Sequence, residues 1–396
     1  MTLSIICFTE AGYELEKKIN NALSETELTY IIKKHVKCKS IRDRLETGFS
    51  YVDEGISDWS KRQFEDRCAL IFIGATGIAV RAIAGCVESK LTDSPVIVMD
   101  EQGRFVIPLL SGHMGGANEL SKRLADITGA VSVITTATDI RNEFAIDLFA
   151  KNNKLNIVNK DGIADVTSKL LDGQEIVIAV PKEALLQDTL SRYAEYPYND
   201  KVKLVGYDIC GDDEIVVRLL DEDKISNCDI DAFVFDIGYK NLFFNKGNIA
   251  EKITEDNCLL LEIKEYVIGI GCKKGKTFKE INDAIMTCLL KNNIEPNQVA
   301  YIASIDVKKD ETGIIEFADK NRISYITFSA EELADIEGDF SESDFVREQV
   351  GVGNVCERAA MAACRYGGTL IQDKESFDGI TIAIAKRNWR VSFDET

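Results

Sequence analysis

The run Cys68-Ala69-Leu70-Ile71-Phe72-Ile73 is apolar at every position and stops at Gly74-Ala75-Thr76-Gly77. A strand with one wet face alternates apolar and polar side chains. A strand that is apolar throughout must be covered on both faces, as in a parallel sheet flanked by helices. Ile78, Arg81 and Ala82 open such a helix directly after the glycines. The same texture predicts strands at Leu3–Phe8, Leu28–His35, Pro95–Met99, Phe105–Leu110 and Val131–Ile134, with helices at Tyr13–Leu23, from Trp59, and from Ala117 through Ile127.

At 396 residues the chain exceeds one ordinary core, since domains run to about 100–200 residues. The expected class is α/β with three domains. Residues 1–140 form an N-terminal α/β domain, and 141–240 a smaller α+β middle domain with short strands near 175–180, 202–207, 214–220 and 232–238. Residues 241–265 read as a connecting segment in which Leu259–Ile263 is a candidate strand, and 266–396 as a C-terminal α/β domain. The sheets of the two outer domains are expected to be mainly parallel.

The net charge of −19 opposes any general affinity for nucleic acid or an anionic membrane, although local groups can still hold a small anion. No apolar run approaches the roughly 18–20 residues of a membrane span, and the start, Met1 to Cys7, reads as a first strand and not a leader. The 11 cysteines are odd in number, scattered and without a C-x-x-C pair, which fits buried thiols in a reducing cytoplasm; a metal or thiol-redox site is the alternative.

Chemistry concentrates at Ser111-Gly112-His113-Met114-Gly115-Gly116-Ala117-Asn118-Glu119, where a strand feeds a glycine-rich loop and then a helix. Unpaired N–H groups and the helix dipole favour an anion there. His113 is one of only two histidines, and it either orders the loop or transfers protons near neutral pH. Gly74, Thr76, Gly77 and Arg81 offer a second carboxylate or phosphate cradle, and Thr135, Thr136 and Thr138 would add hydroxyl donors to the same rim if the strand order permits.

Two other glycine turns suggest nucleotides less well. Gly271 to Gly275 is one residue short of a P-loop, and Thr277-x-x-Glu280 is a capping box. Gly351-Val352-Gly353 follows a helix where a dinucleotide turn follows a strand, and it lacks the third glycine. Glu357 could act as an acid or base, or complete a capping pattern with Asn354. Lys308 lies just beyond an apolar strand end, in a charged segment that is a binding edge or a solvated turn.

The run Asp100-Glu101-x-Gly103-Arg104 through Leu110-Ser111-Gly112-His113-x-Gly115-Gly116-Ala117-Asn118-Glu119-Leu120 resembles the signature of the CbiG family of cobalamin biosynthesis. Gly74-Ala75-Thr76-Gly77-Ile78 and Thr135-Thr136-Ala137-Thr138-Asp139 are similar as well, as are Ala303-Ser304-Ile305-Asp306-x-Lys308 and Val350-Gly351-Val352-Gly353-x-Val355-Cys356-Glu357. The resemblance implies a cobalt-precorrin-5A hydrolase of the oxygen-independent vitamin B12 route. Its substrate is a carboxylate-rich cobalt corrinoid with a δ-lactone, and opening the lactone releases acetaldehyde. Cobalt would be carried by the substrate, so no cofactor and no protein metal ligands are expected. Transient contact with other corrin-pathway enzymes is a further implication, and the oligomeric state stays open. A non-catalytic corrinoid-binding or carrier protein is the alternative.

Roles for residues follow from the chemistry. Water attacking the lactone needs a base, and the oxyanion needs donors. His113 would activate the water or protonate the departing group, with Asn118 or Glu119 orienting it. The N–H groups from Gly112 through Gly115 to Gly116, beside Ser111, would hold the oxyanion. Gly74 to Arg81, Lys308 and the turn of Gly351, Gly353 and Glu357 would grip substrate carboxylates.

Overall fold

Successive side chains on a strand point to opposite faces, so an apolar strand needs two separate apolar layers. A computed structural model describes residues 1–24, 30–90, 92–141, 143–210, 215–219, 230–236, 242–246, 249–252 and 258–393. It supplies both layers around the first sheet. The strands are β1 (Thr2–Cys7), β2 (Ile31–Val36), β3 (Phe49–Tyr51), β4 (Ala69–Ile73), β5 (Val96–Met99), β6 (Phe105–Leu110) and β7 (Val131–Ser132), in the order β3-β2-β1-β4-β5-β6-β7. Leu3, Ile5, Ile71, Ile73 and Ile97 face one way, under α1 (Glu10–Ser24) and α4 (Ala117–Thr128). Ile6, Leu70, Phe72, Val96 and Val98 face the other way, packed with Trp59 of α2 (Ile56–Glu65) and Ala79, Ala82 and Ile83 of α3 (Thr76–Ile83). A short helix, α5 (Ala137–Arg141), follows β7.

Every neighbouring pair in this sheet is parallel except β5 with β6. That exception decides where the functional residues go. The link between β5 and β6 is only Asp100 to Arg104, and the Asp100 carboxylate accepts from the N–H groups of Gln102, Arg104 and Phe105. A parallel return needs a crossover of a dozen or more residues, so β6 must run back.

The second sheet holds β8 (Leu155–Ile157), β9 (Ile176–Pro181), β10 (Val202–Cys210), β11 (Ile215–Leu219), β12 (Ala232–Phe235), β13 (Leu242–Lys246), β14 (Ile249–Lys252) and β15 (Leu259–Ile263). Its central strands β10, β9, β12 and β15 are mutually parallel. With eight strands among the described residues, it is not the small element that the sequence suggests. The apolar stretch Leu259–Ile263 inside the expected connecting segment is one of its strands. Leu28 and Thr29, and Glu214, Leu220, Ile237 and Gly238 at the ends of expected strands, lie outside the described residues.

The third sheet has the order β18-β17-β16-β20-β19, from β16 (Tyr266–Cys272), β17 (Val299–Ile305), β18 (Ser324–Phe328), β19 (Gly368–Phe377) and β20 (Ile380–Arg387). The first three are parallel, and β19 and β20 form an antiparallel hairpin. Two compact units result. One contains Met1–Ile140 with Lys274–Asn282 and Lys308–Arg322; the other contains Arg141–Lys273, Asp283–Val307 and Ile323–Thr396. In the first, the carboxylate of Asp319 accepts from both the N–H and the hydroxyl of Thr2 at the start of β1.

Candidate active site

Leu110 pairs with Val96, and Val96 pairs with Leu70 near the start of β4. The loop after Leu110 therefore emerges at the amino edge of the parallel strands. Gly74 to Gly77 emerges at their carboxyl edge, the length of a five-residue strand away, roughly 16 Å. Because β7 is parallel to β6, Thr135 and Thr136 join the amino edge. The expected common rim of Gly74 to Arg81 with the threonines does not form, and the reversed β6 is the reason.

The amino-edge loop is tightly folded. Ser111 has a left-handed backbone (φ 56), and its hydroxyl donates to the Asp93 carbonyl at 2.8 Å, tying the loop to the segment before β5. The N–H groups of Ala117 and Asn118 return to the carbonyls of Ser111 and Gly112, both at 3.1 Å. Gly116 carries φ 83, a conformation that side chains disfavour. A β-carbon on Gly112 would stand 2.7 Å from the Asn118 amide oxygen, so glycine there makes room for that side chain.

Asn118 opens into a polar triad. The Nε2 atom of His113 lies 2.8 Å from Oδ2 of Asp139 on α5. Asn118 Nδ2 donates to the same oxygen at 2.9 Å, and to Thr136 Oγ1 at 3.4 Å. Asn118 is buried, whereas the side chains of His113 and Asp139 are 13% and 24% exposed and so reachable from outside. A carboxylate can only accept, so in the neutral imidazole Nε2 carries the proton and Nδ1 is the basic nitrogen. Among the described residues, the N–H groups of Gly112, Met114 and Gly115 have no acceptor. The N–H of Gly116 is spent on the His113 carbonyl at 3.1 Å, which removes it from the expected oxyanion donors.

Asp139 is the residue that sequence reasoning missed. Its only signal is its position, closing the Thr135-Thr136-Ala137-Thr138-Asp139 run after a strand. The carboxylate on His113 is this aspartate; Glu119 is exposed on α4, and Asn118 acts on the histidine through Asp139. Thr138 is also displaced from its expected role. It is buried, with a hydroxyl that has no partner among the described residues, while Thr135 and Thr136 are exposed.

The remaining candidates fall elsewhere. Thr76, Gly77 and Arg81 are exposed, and the Arg81 guanidinium folds back on the Gly77 carbonyl at 2.9 Å. Lys308 lies 3.4 Å from Glu311, whose other oxygen accepts from the Gly275 N–H at 2.6 Å. Glu357 is fully buried and takes donors from Asn354 Nδ2 (2.6 Å), Lys374 N (2.7 Å), Ser341 N (2.9 Å) and the Ser341 hydroxyl. A carboxylate so enclosed is a structural clamp and neither acid, base nor grip. Gly351 ends the helix Asp344–Val350 with φ 86, and the Gly353 carbonyl accepts from Ser343, so both serve the turn. Gly271 sits inside β16 opposite Thr381, and Thr277 and Glu280 cap each other reciprocally, which excludes a phosphate loop. Among the described residues, no three His, Cys, Asp or Glu side chains group as metal ligands.

Two family models match the chain: "Cobalamin synthesis G N-terminal" over residues 58–139 and "Cobalamin synthesis G C-terminus" over 266–385. The first spans the whole His113–Asp139 site. The cobalt-precorrin-5A hydrolase of Salmonella typhimurium is 31% identical over 389 residues, covering 97% of this chain and 97% of its own. That of Priestia megaterium is 27% identical over 387 residues, covering 96% of this chain and 94% of its own. On a match that runs nearly end to end, this chain belongs to the CbiG family of cobalamin synthesis.

Proposed function

We propose that this chain hydrolyses the δ-lactone of cobalt-precorrin-5A and releases acetaldehyde to give cobalt-precorrin-5B. The enzyme class follows from relatives of that activity matched along nearly the whole chain. The residue roles rest on one observation, the 2.8 Å contact of His113 with Asp139 beside three N–H groups that have no acceptor among the described residues.

His113 takes a proton from water through Nδ1 as the oxygen attacks the lactone carbonyl. Asp139, held by Asn118, fixes the ring and stabilises the imidazolium that forms. The tetrahedral oxyanion is met by the N–H groups of Gly112, Met114 and Gly115. On collapse, the histidine returns its proton to the departing ring oxygen, leaving a hydroxyl and a carboxylic acid that loses its proton to solvent. Removing the hydroxyl proton then lets the carbon–carbon bond break: the carbinol carbon becomes the aldehyde, and the electron pair enters the conjugated macrocycle.

Cobalt enters and leaves as part of the substrate in this reading, and the chain works in the cytoplasm, passing intermediates by transient contact with neighbouring pathway enzymes. Two observations accord with that location. No helix among the described residues is long and apolar enough to cross a membrane, and nine of their cysteines are free thiols. Incubating the protein with cobalt-precorrin-5A and assaying acetaldehyde tests the function. Stoichiometric release is expected; binding of the corrinoid without release would make it a carrier.

A further inference from the structure

The chain has 66 acidic and 47 basic side chains, yet in the second unit three cations gather with no carboxylate among the described residues in salt-bridge contact. Around the ring of Tyr301 on β17 stand Lys154 at 5.4 Å, Arg365 at 5.6 Å and Arg387 at 5.7 Å from the centroid. They come from three places: the turn before β8, the turn after the helix Cys356–Ala363, and the last residue of β20. Among the described residues, none of the three has an Asp or Glu within salt-bridge distance. Glu265, an acid whose charge reaches Arg387, is paired with Lys386 at 2.8 Å.

One aromatic face attracts a cation, but two more cations beside it repel the first, so the ring alone does not account for the cluster. Two of the three are fixed by neutral groups. Arg387 Nε donates to the Lys264 carbonyl at 2.8 Å, and Lys154 Nζ to the Ser324 hydroxyl at 3.1 Å. Arg365 is exposed, and its side chain donates to nothing among the described residues. It occupies a left-handed turn (φ 53) where glycine would be less strained. Burial and the neighbouring cations push the Lys154 ammonium down to about 8, as expected where positive charge lacks an anion.

We propose that Lys154, Arg365 and Arg387 form a carboxylate-binding subsite that takes a side-arm carboxylate of an anionic tetrapyrrole. The choice of ligand rests on the corrinoid reading above. Arg365 supplies the unspent guanidinium fork, and the other two supply a fixed positive field.

The test uses the full-length chain and Arg365→Ala, Arg365→Lys and Arg365→Glu. Binding of uroporphyrin I, a tetrapyrrole octacarboxylate, is followed by fluorescence, and KM and kcat are measured by acetaldehyde release. Losing a charge-assisted pair should weaken uroporphyrin binding and raise KM about tenfold in Arg365→Ala, with kcat preserved. Arg365→Lys should recover part of the loss, and Arg365→Glu should be weaker still. Without ligand, Arg365→Ala should melt no lower than wild type, because it removes a repelling charge. Unchanged binding and KM in the Ala and Glu variants, or a ligand-free loss of stability in Arg365→Ala, would overturn the subsite. If wild type binds uroporphyrin through Arg365 but yields no acetaldehyde, the subsite stands and the hydrolase reading falls.

Discussion

Two glycine-rich turns in this chain lead into helices, and they put their polar groups to opposite uses. At Gly351 to Glu357 the polar side chains are spent on the protein itself: Asn354 bonds the backbone and hydroxyl of Ser341, and the Glu357 carboxylate is ringed by protein donors. At Ser111 to Asn118 the carboxylate belongs to a different segment, and both it and the histidine are partly exposed. Glycines permit close backbone approach in both turns. What separates the two turns is the exposure of the ionisable side chains they hold, and not their glycine content.

That contrast can be broken by experiment. The largest effect should come from Asp139→Asn, which keeps shape but removes the charge that steadies the imidazolium. Its kcat for acetaldehyde release should fall by about 10²-fold or more with KM little changed. A normal kcat would mean the histidine works without its carboxylate. Glu357→Ala should instead cost about 3 kcal/mol in urea unfolding, since it strands several buried donors, while the folded fraction keeps its kcat. Activity lost at full stability would place chemistry in the second turn.

Glu16 on α1 sharpens the comparison as a second buried carboxyl. Burial pushes it up to about 8. The folded chain then holds a proton that the unfolded chain releases near 4.5, so this contribution to stability is complete below about 4.5 and lost as pH rises through about 8. Melting temperatures from pH 5 to 9 should fall on the alkaline side, and Glu16→Gln should flatten that decline. The smallest effect belongs to Arg81→Ala. With the guanidinium at the far edge of the sheet, kcat and KM should stay within about twofold of wild type; a large rise in KM would mean the substrate reaches both edges.

Much of the frame is legible in the residues. The unbroken apolar character of Ala69–Ile73 and Val96–Met99 demands two covering layers, and the structure provides them. The direction of β6 is legible too, but from loop length and not from the βα texture, because five residues cannot make a crossover. Asp378-Gly379, between β19 and β20, is likewise a hairpin signal that alternation alone overlooks. The partnership of His113 with Asp139 is less accessible, since 26 residues and the full length of α4 separate them and the reversed strand brings them together. The three cations around Tyr301 share no sequence neighbourhood at all, and only the tertiary fold assembles them.

The most direct test of the central claim is single-turnover acetaldehyde release by His113→Ala, with enzyme in excess over cobalt-precorrin-5A. A fall of about 10²–10⁴-fold with corrinoid binding retained is the predicted result. Release at the wild-type rate would contradict it, and would move the base away from the loop of Ser111 to Asn118.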